Sequence, residues 1–181
     1  MWVVRKRIKI EIWRNLSYGG NMVLIIDNKE VTSTINIKSI HEDYPILKSN
    51  STLVIDSPLR DINISDNYVY VGQREMAVAS TDDGVDILGS EDATTCHIVV
   101  LRDITNNKGV TGLAHLDSDD PDQFLALESA VRRRSGASET DIEYEISIIG
   151  GYDDERGTSA DITETLLTTI QVCNDLFYIV F

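Results

Sequence analysis

The sequence predicts an α+β fold, with antiparallel β hairpins forming a sheet or sandwich and helices flanking it. Three observations predict this. "YVYVGQREMAVAS" and "DIEYEISIIG" alternate along their length with the two-residue period of a strand. The turn signals "TDDG" and "TNNKG" fall between strand-like runs at hairpin spacing. Two longer stretches, after Pro121 and after Thr158, space their apolar residues as helices do.

Each element has its own reason. "MVLIID" is a short strand, and 33–48 is a weak helical or irregular stretch that ends at Pro45 or soon after. "YVYVGQREMAVAS", "TDDG" and "VDILG" read as one hairpin, because Asp-Gly supplies the positive φ that a tight turn needs. "CHIVVLRDI", the turn "TNNKG" and "VTGLAHL" read as a second. Asp120-Pro121 opens a helix with Phe124, Leu127 and Val131 on one face. Arg132 to Arg134 sit in its last turn, where the helix dipole favours cations, and Gly136 stops it. After the strand "DIEYEISIIG", Thr158 with Asp161 reads as a capping box for a helix carrying Ile162, Leu166 and Ile170 on one side. "LFYIVF" is an apolar strand with no polar cap, and its partners are expected to lie outside this chain. Residues 1–21 carry five basic side chains against one acid and read as a basic N-terminal extension. Residues 22–181 read as the N-terminal part of a domain whose C-terminal part is missing.

Composition narrows the setting. With 181 residues, 42% hydrophobic and 25% charged, the chain is long and apolar enough to bury one core. A net charge of −14 repels nucleic acid and anionic membrane surfaces, so neither is an expected partner. "MWVVRKRIKIEIWR" breaks every apolar run with a charge, which excludes a signal-peptide core or membrane span there. Cys96 and Cys173 are far apart and form no disulfide framework or zinc spacing. A reducing cytoplasmic or nuclear setting with free thiols follows. His41, His97 and His115 fit no metal-binding pattern, "DSDDPDQ" lacks the glycine of a calcium loop, and "GGYDDERG" lacks a phosphate-binding lysine. No metal or cofactor is expected, and the oligomeric state is left open.

One stretch carries chemistry: "LGSEDATTCHIVVL", residues 88–101, where a polar turn becomes a strand at Cys96. Neighbours on a strand point to opposite faces, so His97 is badly placed to serve Cys96 as a base. Folding the second hairpin about "TNNKG" brings His115 close to the level of Cys96 instead. The turn "GSEDATT" offers backbone N–H groups to an oxyanion. Cysteine, cross-strand histidine and amide-lined turn together form a nucleophile–base–oxyanion set. The same residues also suit a small buried cysteine with an incidental histidine, and the spacing leaves both readings open.

Two runs, "GQREMAV" and "ILGSEDATTCHIVVLR", resemble the protein N-terminal asparagine amidohydrolases at this separation almost residue for residue. "IIGGYDDER" and "MVLIIDNKEV" are similar to further segments of that family. The resemblance is closest over about 68–117, weaker over 22–67 and 118–170, and absent from 1–21. It implies an enzyme that deamidates the side chain of an N-terminal asparagine to aspartate through a cysteine thioester, with proteins or peptides bearing N-terminal Asn as partners. The product would be a secondary N-degron for arginylation and ubiquitin-dependent degradation. The family's nucleophile falls on Cys96. There is a looser similarity to cysteine–histidine deamidases, which place a Ser or Thr six residues before the nucleophile and a histidine, the base, some seventeen after it. It points to Ser90 at minus six and to His115 at plus nineteen, a departure of two residues that the "ITNNKG" turn would absorb. In that scheme Thr94 and Thr95 lie beside the oxyanion. Glu91, Asp92 and Asp117 are the nearest acids for the substrate's α-ammonium. A catalytically inactive binding or regulatory isoform and an internal glutamine deamidase are the alternatives.

Overall fold

The computed structural model of the chain describes residues 2–5, 23–49, 66–105, 109–137, 142–152, 154–173 and 176–179. Among the described residues ten strands form two sheets. The smaller holds β1 (Trp2–Arg5), β6 (Ile87–Ser90) and β4 (Tyr68–Tyr70) in that order. The larger is ordered β3 (Lys29–Glu30), β2 (Val23–Ile26), β10 (Leu176–Ile179), β9 (Glu143–Gly150), β7 (His97–Asp103), β8 (Thr111–Leu116), β5 (Met76–Ala79). Two long helices accompany them, α1 (Pro121–Ser135) and α2 (Thr158–Val172). The chain is α+β, with more parallel pairing than hairpins alone would produce: β10 runs parallel to both β2 and β9, and β4 runs parallel to β6. Among the described residues no helix is long and apolar enough to cross a membrane.

Strand parity decides which side chains meet. On β7 and β8, Val99, Leu101, Ala114 and Leu116 join Phe124, Leu127 and Val131 of α1 in the main core. The alternate residues Ile98, Val100 and Leu113 pack on the other face, against Leu88 and Val71 of the smaller-sheet layer. The larger sheet is therefore buried on both sides over β7 and β8, which is why "CHIVVL" reads as an unbroken apolar run.

Several local expectations hold. β7 and β8 form the second hairpin, antiparallel, with His97 opposite Leu116 and Arg102 opposite Thr111. Asp120 caps α1 by accepting the Asp122 N–H at 3.0 Å, Pro121 is its first residue, and Gly136 ends it in the left-handed conformation. A turn not anticipated from the sequence joins β2 to β3 through Asp27 and Asn28, both at positive φ.

Three expectations are corrected. "YVYVGQREMAVAS" and "VDILG" do not form one hairpin. β5 pairs with β8 at the edge of the larger sheet, whereas β6 pairs with β1 and β4 in the smaller one. The "TDDG" stretch, a short 3-10 turn closed by Gly84, carries the chain between sheets. It is fixed there by the Asp83 carboxylate, which accepts the Ser80 N–H at 2.7 Å and pairs with Arg134 of α1. The α2 N-terminus is not closed by a Thr158–Asp161 capping box. Gly157 turns left-handed and Asp154 accepts the N–H groups of Thr158 and Ser159, satisfying the same orphan donors from outside the helix. "LFYIVF" does not lack partners within this chain: β10 lies between β2 and β9, with Phe177 and Ile179 buried. Trp2–Arg5, inside the basic segment, pairs with β6.

Gly112 lets α1 lie close on β8. A Cβ there would fall 2.6 Å from Val131 Cγ2 and 2.7 Å from Leu127 Cδ1. Gly112→Ala should therefore overpack the core and destabilise the fold by about 1–3 kcal/mol, read as a lower urea midpoint.

Candidate active site

The chemistry-bearing residues collect at the seam between the two sheets. Ser90 ends β6 in the smaller sheet, His115 lies near the end of β8 in the larger, and Cys96 directly precedes β7. Ile98 pairs with His115 and His97 with Leu116. Carrying that register one step further sets Cys96 level with Asp117 and one diagonal step from His115, about 7–8 Å between backbones in a regular ladder. Parity puts Cys96, Ile98 and His115 on the face that meets the smaller sheet. All three are buried.

A hydrogen bond crosses the seam. Ser90 Oγ lies 2.9 Å from His115 Nδ1 and 2.7 Å from the Val71 carbonyl oxygen. The carbonyl can only accept, so the single hydroxyl proton goes to Val71 and Ser90 Oγ must accept from Nδ1–H. This assigns the imidazole tautomer: Nδ1 carries the proton and Nε2 keeps its lone pair. His115 Nε2 is buried, with no hydrogen-bond partner among the described residues. The backbone is held as well, since His115 N–H donates to the Glu75 carbonyl at 3.1 Å and its carbonyl accepts Arg74 N–H at 3.0 Å.

Electrostatics keep the pair neutral at rest. Burial pushes the Cys96 thiol above its ordinary value and the Asp117 charge adds to this, while the Thr95 side chain and the residue's own N–H favour the thiolate. Burial lowers His115, against the charges of Asp117 and Asp92. The result is a protonated sulfur and an unprotonated imidazole.

The turn before Cys96 is shaped by backbone contacts. Asp92 is left-handed at φ 58, and the Thr94 N–H donates to its carbonyl at 3.0 Å. The Thr94 amide is thereby committed. The segment after β9 clamps the turn, with Gly151 N–H donating to the Cys96 carbonyl at 3.1 Å and Tyr152 N–H to the Thr94 carbonyl at 2.7 Å. Glycine is required at both junction positions. Gly150 has φ 110, and a Cβ there would lie 2.5 Å from the Cys96 oxygen. Gly151 has φ 82, and its Cβ would lie 2.7 Å from His97 Nε2.

His97 points to the helix side. Its Nε2 lies 2.8 Å from Thr163 Oγ1 on α2, and that hydroxyl donates to the Ser159 carbonyl at 2.9 Å. It is thus a strut between β7 and α2, away from the Cys96 face. Of the three candidate acids, Glu91 is half-buried and Asp92 exposed in the turn. Asp117 is already engaged: Oδ2 accepts Arg74 Nε–H at 2.5 Å and Gln73 Nε2–H at 2.9 Å, and Oδ1 accepts from Gln123 at 3.3 Å. Sequence reasoning missed the Val71 carbonyl, the Gly150-Gly151 clamp and the Gln73–Arg74–Gln123 grip. The "GQRE" and "GGY" runs were the available signals. Among the described residues no three His, Cys, Asp or Glu side chains cluster to hold a metal.

The hairpin thus carries a buried thiol and a buried, serine-anchored imidazole with an unprotonated Nε2, residue types that amide-cleaving cysteine enzymes use. Residues 59–181 match the family described as protein N-terminal asparagine amidohydrolase. The chain is 34% identical over 161 residues to the protein N-terminal asparagine amidohydrolase of Mus musculus, covering 88% of this chain and 51% of the relative. The Homo sapiens protein of that name is 32% identical over the same length, and the Arabidopsis thaliana one 35% over 96 residues. The chain belongs to the protein N-terminal asparagine amidohydrolase family. It spans about half the length of the mammalian relatives it matches.

Burial lowers His97 to about 4, so it stays neutral in the folded protein while the unfolded chain takes up a proton near pH 6.5. Stability should then be fully present above pH 6.5 and be lost as pH falls toward 4, by roughly 3 kcal/mol at most. His97→Gln should flatten this part of the pH dependence. Urea midpoints measured from pH 4 to 7 for both proteins check it. Equal slopes would assign the acid sensitivity to other groups.

Proposed function

We propose that this chain hydrolyses the side-chain amide of an N-terminal asparagine, releasing ammonia and leaving aspartate. The observation that carries the reading is the Ser90–His115 hydrogen bond facing the Cys96 turn in a member of this family. His115 Nε2 takes the thiol proton as Cys96 Sγ bonds to the carboxamide carbon. The N–H groups of Thr95 and Cys96 receive the oxyanion. The imidazolium gives its proton to the departing nitrogen, the C–N bond breaks, and a thioester remains. Water, deprotonated by His115, then attacks the thioester carbon, and the sulfur leaves with the proton as Cys96 thiol. Ser90 keeps Nδ1 protonated throughout, so Nε2 is the only nitrogen that exchanges protons.

Binding the substrate's α-ammonium falls to Glu91 and Asp92, beside the reactive turn, since the Asp117 oxygens are already bonded. The fold in this reading is that of the cysteine–histidine deamidases, and the aspartate product is the secondary N-degron that the resemblance implies. We place the activity in the cytoplasm and nucleus, where Cys96 and Cys173 stay reduced.

Ammonia release from Asn-, Gln- and Asp-starting peptides is the test. Asn peptides should be turned over, and acetylating their N-terminus should remove most activity by deleting the charge. Cys96→Ala should abolish turnover and His115→Ala should lower it about 10²–10⁴-fold. A folded chain that releases no ammonia from any peptide would make it a binding or regulatory form. Release from internal glutamine instead would replace the substrate assignment.

A further inference from the structure

A carboxylate is a poor neighbour for a sulfur that must become an anion. Yet Asp117 stands level with Cys96 across the β7–β8 hairpin, with its side chain 3% exposed. We propose that Arg74, with Gln73 and Gln123, is a positioning residue that masks the Asp117 charge and ties it to the backbone of His115, so that Cys96 can ionise during attack. The proposal rests on the reading of Cys96 as nucleophile and His115 as base.

The geometry is a two-level grip. Arg74 sits in a left-handed turn at φ 65, which turns its N–H onto the His115 carbonyl at 3.0 Å while its Nε–H bonds Asp117 Oδ2 at 2.5 Å. One residue of the turn thus holds both the base and the acid two places beyond it. Gln73 adds a second hydrogen bond to Oδ2. Gln123, from the first turn of α1, donates to Oδ1 and accepts the Asp117 N–H, each at 3.3 Å. A left-handed backbone is strained for a residue with a long side chain, and Arg74 holds it while making both contacts. Burial opposes ionisation of Asp117, but the hydrogen bonds from Arg74, Gln73 and Gln123 outweigh it and hold the carboxyl below its usual range. Asp117 is therefore charged, and what differs is how much of that charge Cys96 feels.

Among the described residues, the charged groups nearest the pair come from the reactive turn (Glu91, Asp92), from Asp117 and from the Arg74–Glu75 turn. Asp117 acts on both Cys96 and His115, and Asp92 from the reactive turn acts on His115. Arg74 is the cation from the neighbouring turn. Glu75 turns its carboxylate to the Gly72 N–H at 2.8 Å, β6 offers the neutral Ser90, and His97 faces the helices. Removing Arg74 exposes the pair to an unmasked anion, which disfavours the thiolate. Removing the Asp117 charge does the reverse.

The test needs no substrate, so it stands apart from the test of the amidohydrolase reading. Alkylation of Cys96 by iodoacetamide, followed by mass spectrometry of its peptide on the full chain, is measured against pH. Arg74→Gln should move the midpoint up by about half a unit or more, slowing alkylation roughly three-fold below it. Asp117→Asn, close in shape and able to keep most of the hydrogen bonds, should move it down. The double variant should return near the starting profile, and Arg74→Lys should lie between wild type and Arg74→Gln. Opposite shifts that cancel support charge masking. Shifts of the same sign in both single variants, or none in the Asp117→Asn protein, overturn it and leave Arg74 a structural residue only. Should Arg74→Gln fail to fold, Asp117→Asn with Arg74→Lys decides on the same signs.

Discussion

The hydrogen bond from His115 Nδ1 to Ser90 Oγ is the constraint on which the geometry of the candidate site depends. It joins a strand of the larger sheet to a strand of the smaller one, so its 2.9 Å length is set by how the two sheets pack. That packing is apolar: Ile98, Val100 and Leu113 against Leu88 and Val71. A core residue such as Val100 therefore bears on the position of His115 without touching it, because rotating one sheet against the other would break the one side-chain hydrogen bond the imidazole makes among the described residues. The Val71 carbonyl extends the constraint to the chain leaving β4. The anchor is thus a three-part relay from backbone to hydroxyl to ring, with the proton order fixed by the carbonyl's inability to donate.

The second dependency is the clamp on the far side of Cys96. The Gly151 and Tyr152 amides bind the Cys96 and Thr94 carbonyls, while Gly150 and Gly151 leave room for that approach. β9 therefore does two jobs. Its body is a core strand beside β7, and its end fixes the turn that presents the thiol. His97 braces the same point from the helix side through Thr163. The adjacent cysteine and histidine are separated by strand parity, His97 bracing the helix side and Cys96, on the proposed reading, facing the chemistry.

What the sequence made legible follows the range of each interaction. The β7–β8 hairpin and the caps of α1 are local, and the residues that specify them lie within a few positions of where they act. The placing of His115 near Cys96 came from that hairpin alone. The β5–β6 misreading has the opposite cause: alternation shows that "MAVA" and "ILGS" are strands but not which sheet each joins, and the Asp83–Arg134 contact that turns the chain spans 51 residues. The insertion of β10 between β2 and β9 is equally non-local, since parallel pairing has no turn signal. Ser90 was singled out through the looser likeness to cysteine–histidine deamidases, and the structure sets its hydroxyl 2.9 Å from His115. The Val71 carbonyl was not legible, because backbone atoms carry no residue signature. Asp117 was legible as a nearby acid, but its engagement by Arg74 required the register of two strands at once.

The resting protonation of the pair has a consequence for how such a site works. A buried thiol held above its ordinary value does not spend its time as thiolate, and a buried imidazole held low does not spend its time as cation. An ion pair formed in advance would draw water and react with any passing electrophile. A neutral pair stays inert until a carbonyl carbon is seated against the sulfur and amide donors stand ready for its oxygen. In the proposed reaction the proton moves to Nε2 as the negative charge passes from sulfur to the oxyanion, and the imidazolium formed protonates the nitrogen that must leave. On that proposal, burial that hinders ionisation at rest couples it to attack, and His115 Nε2, unpartnered among the described residues, is the atom on which the coupling turns.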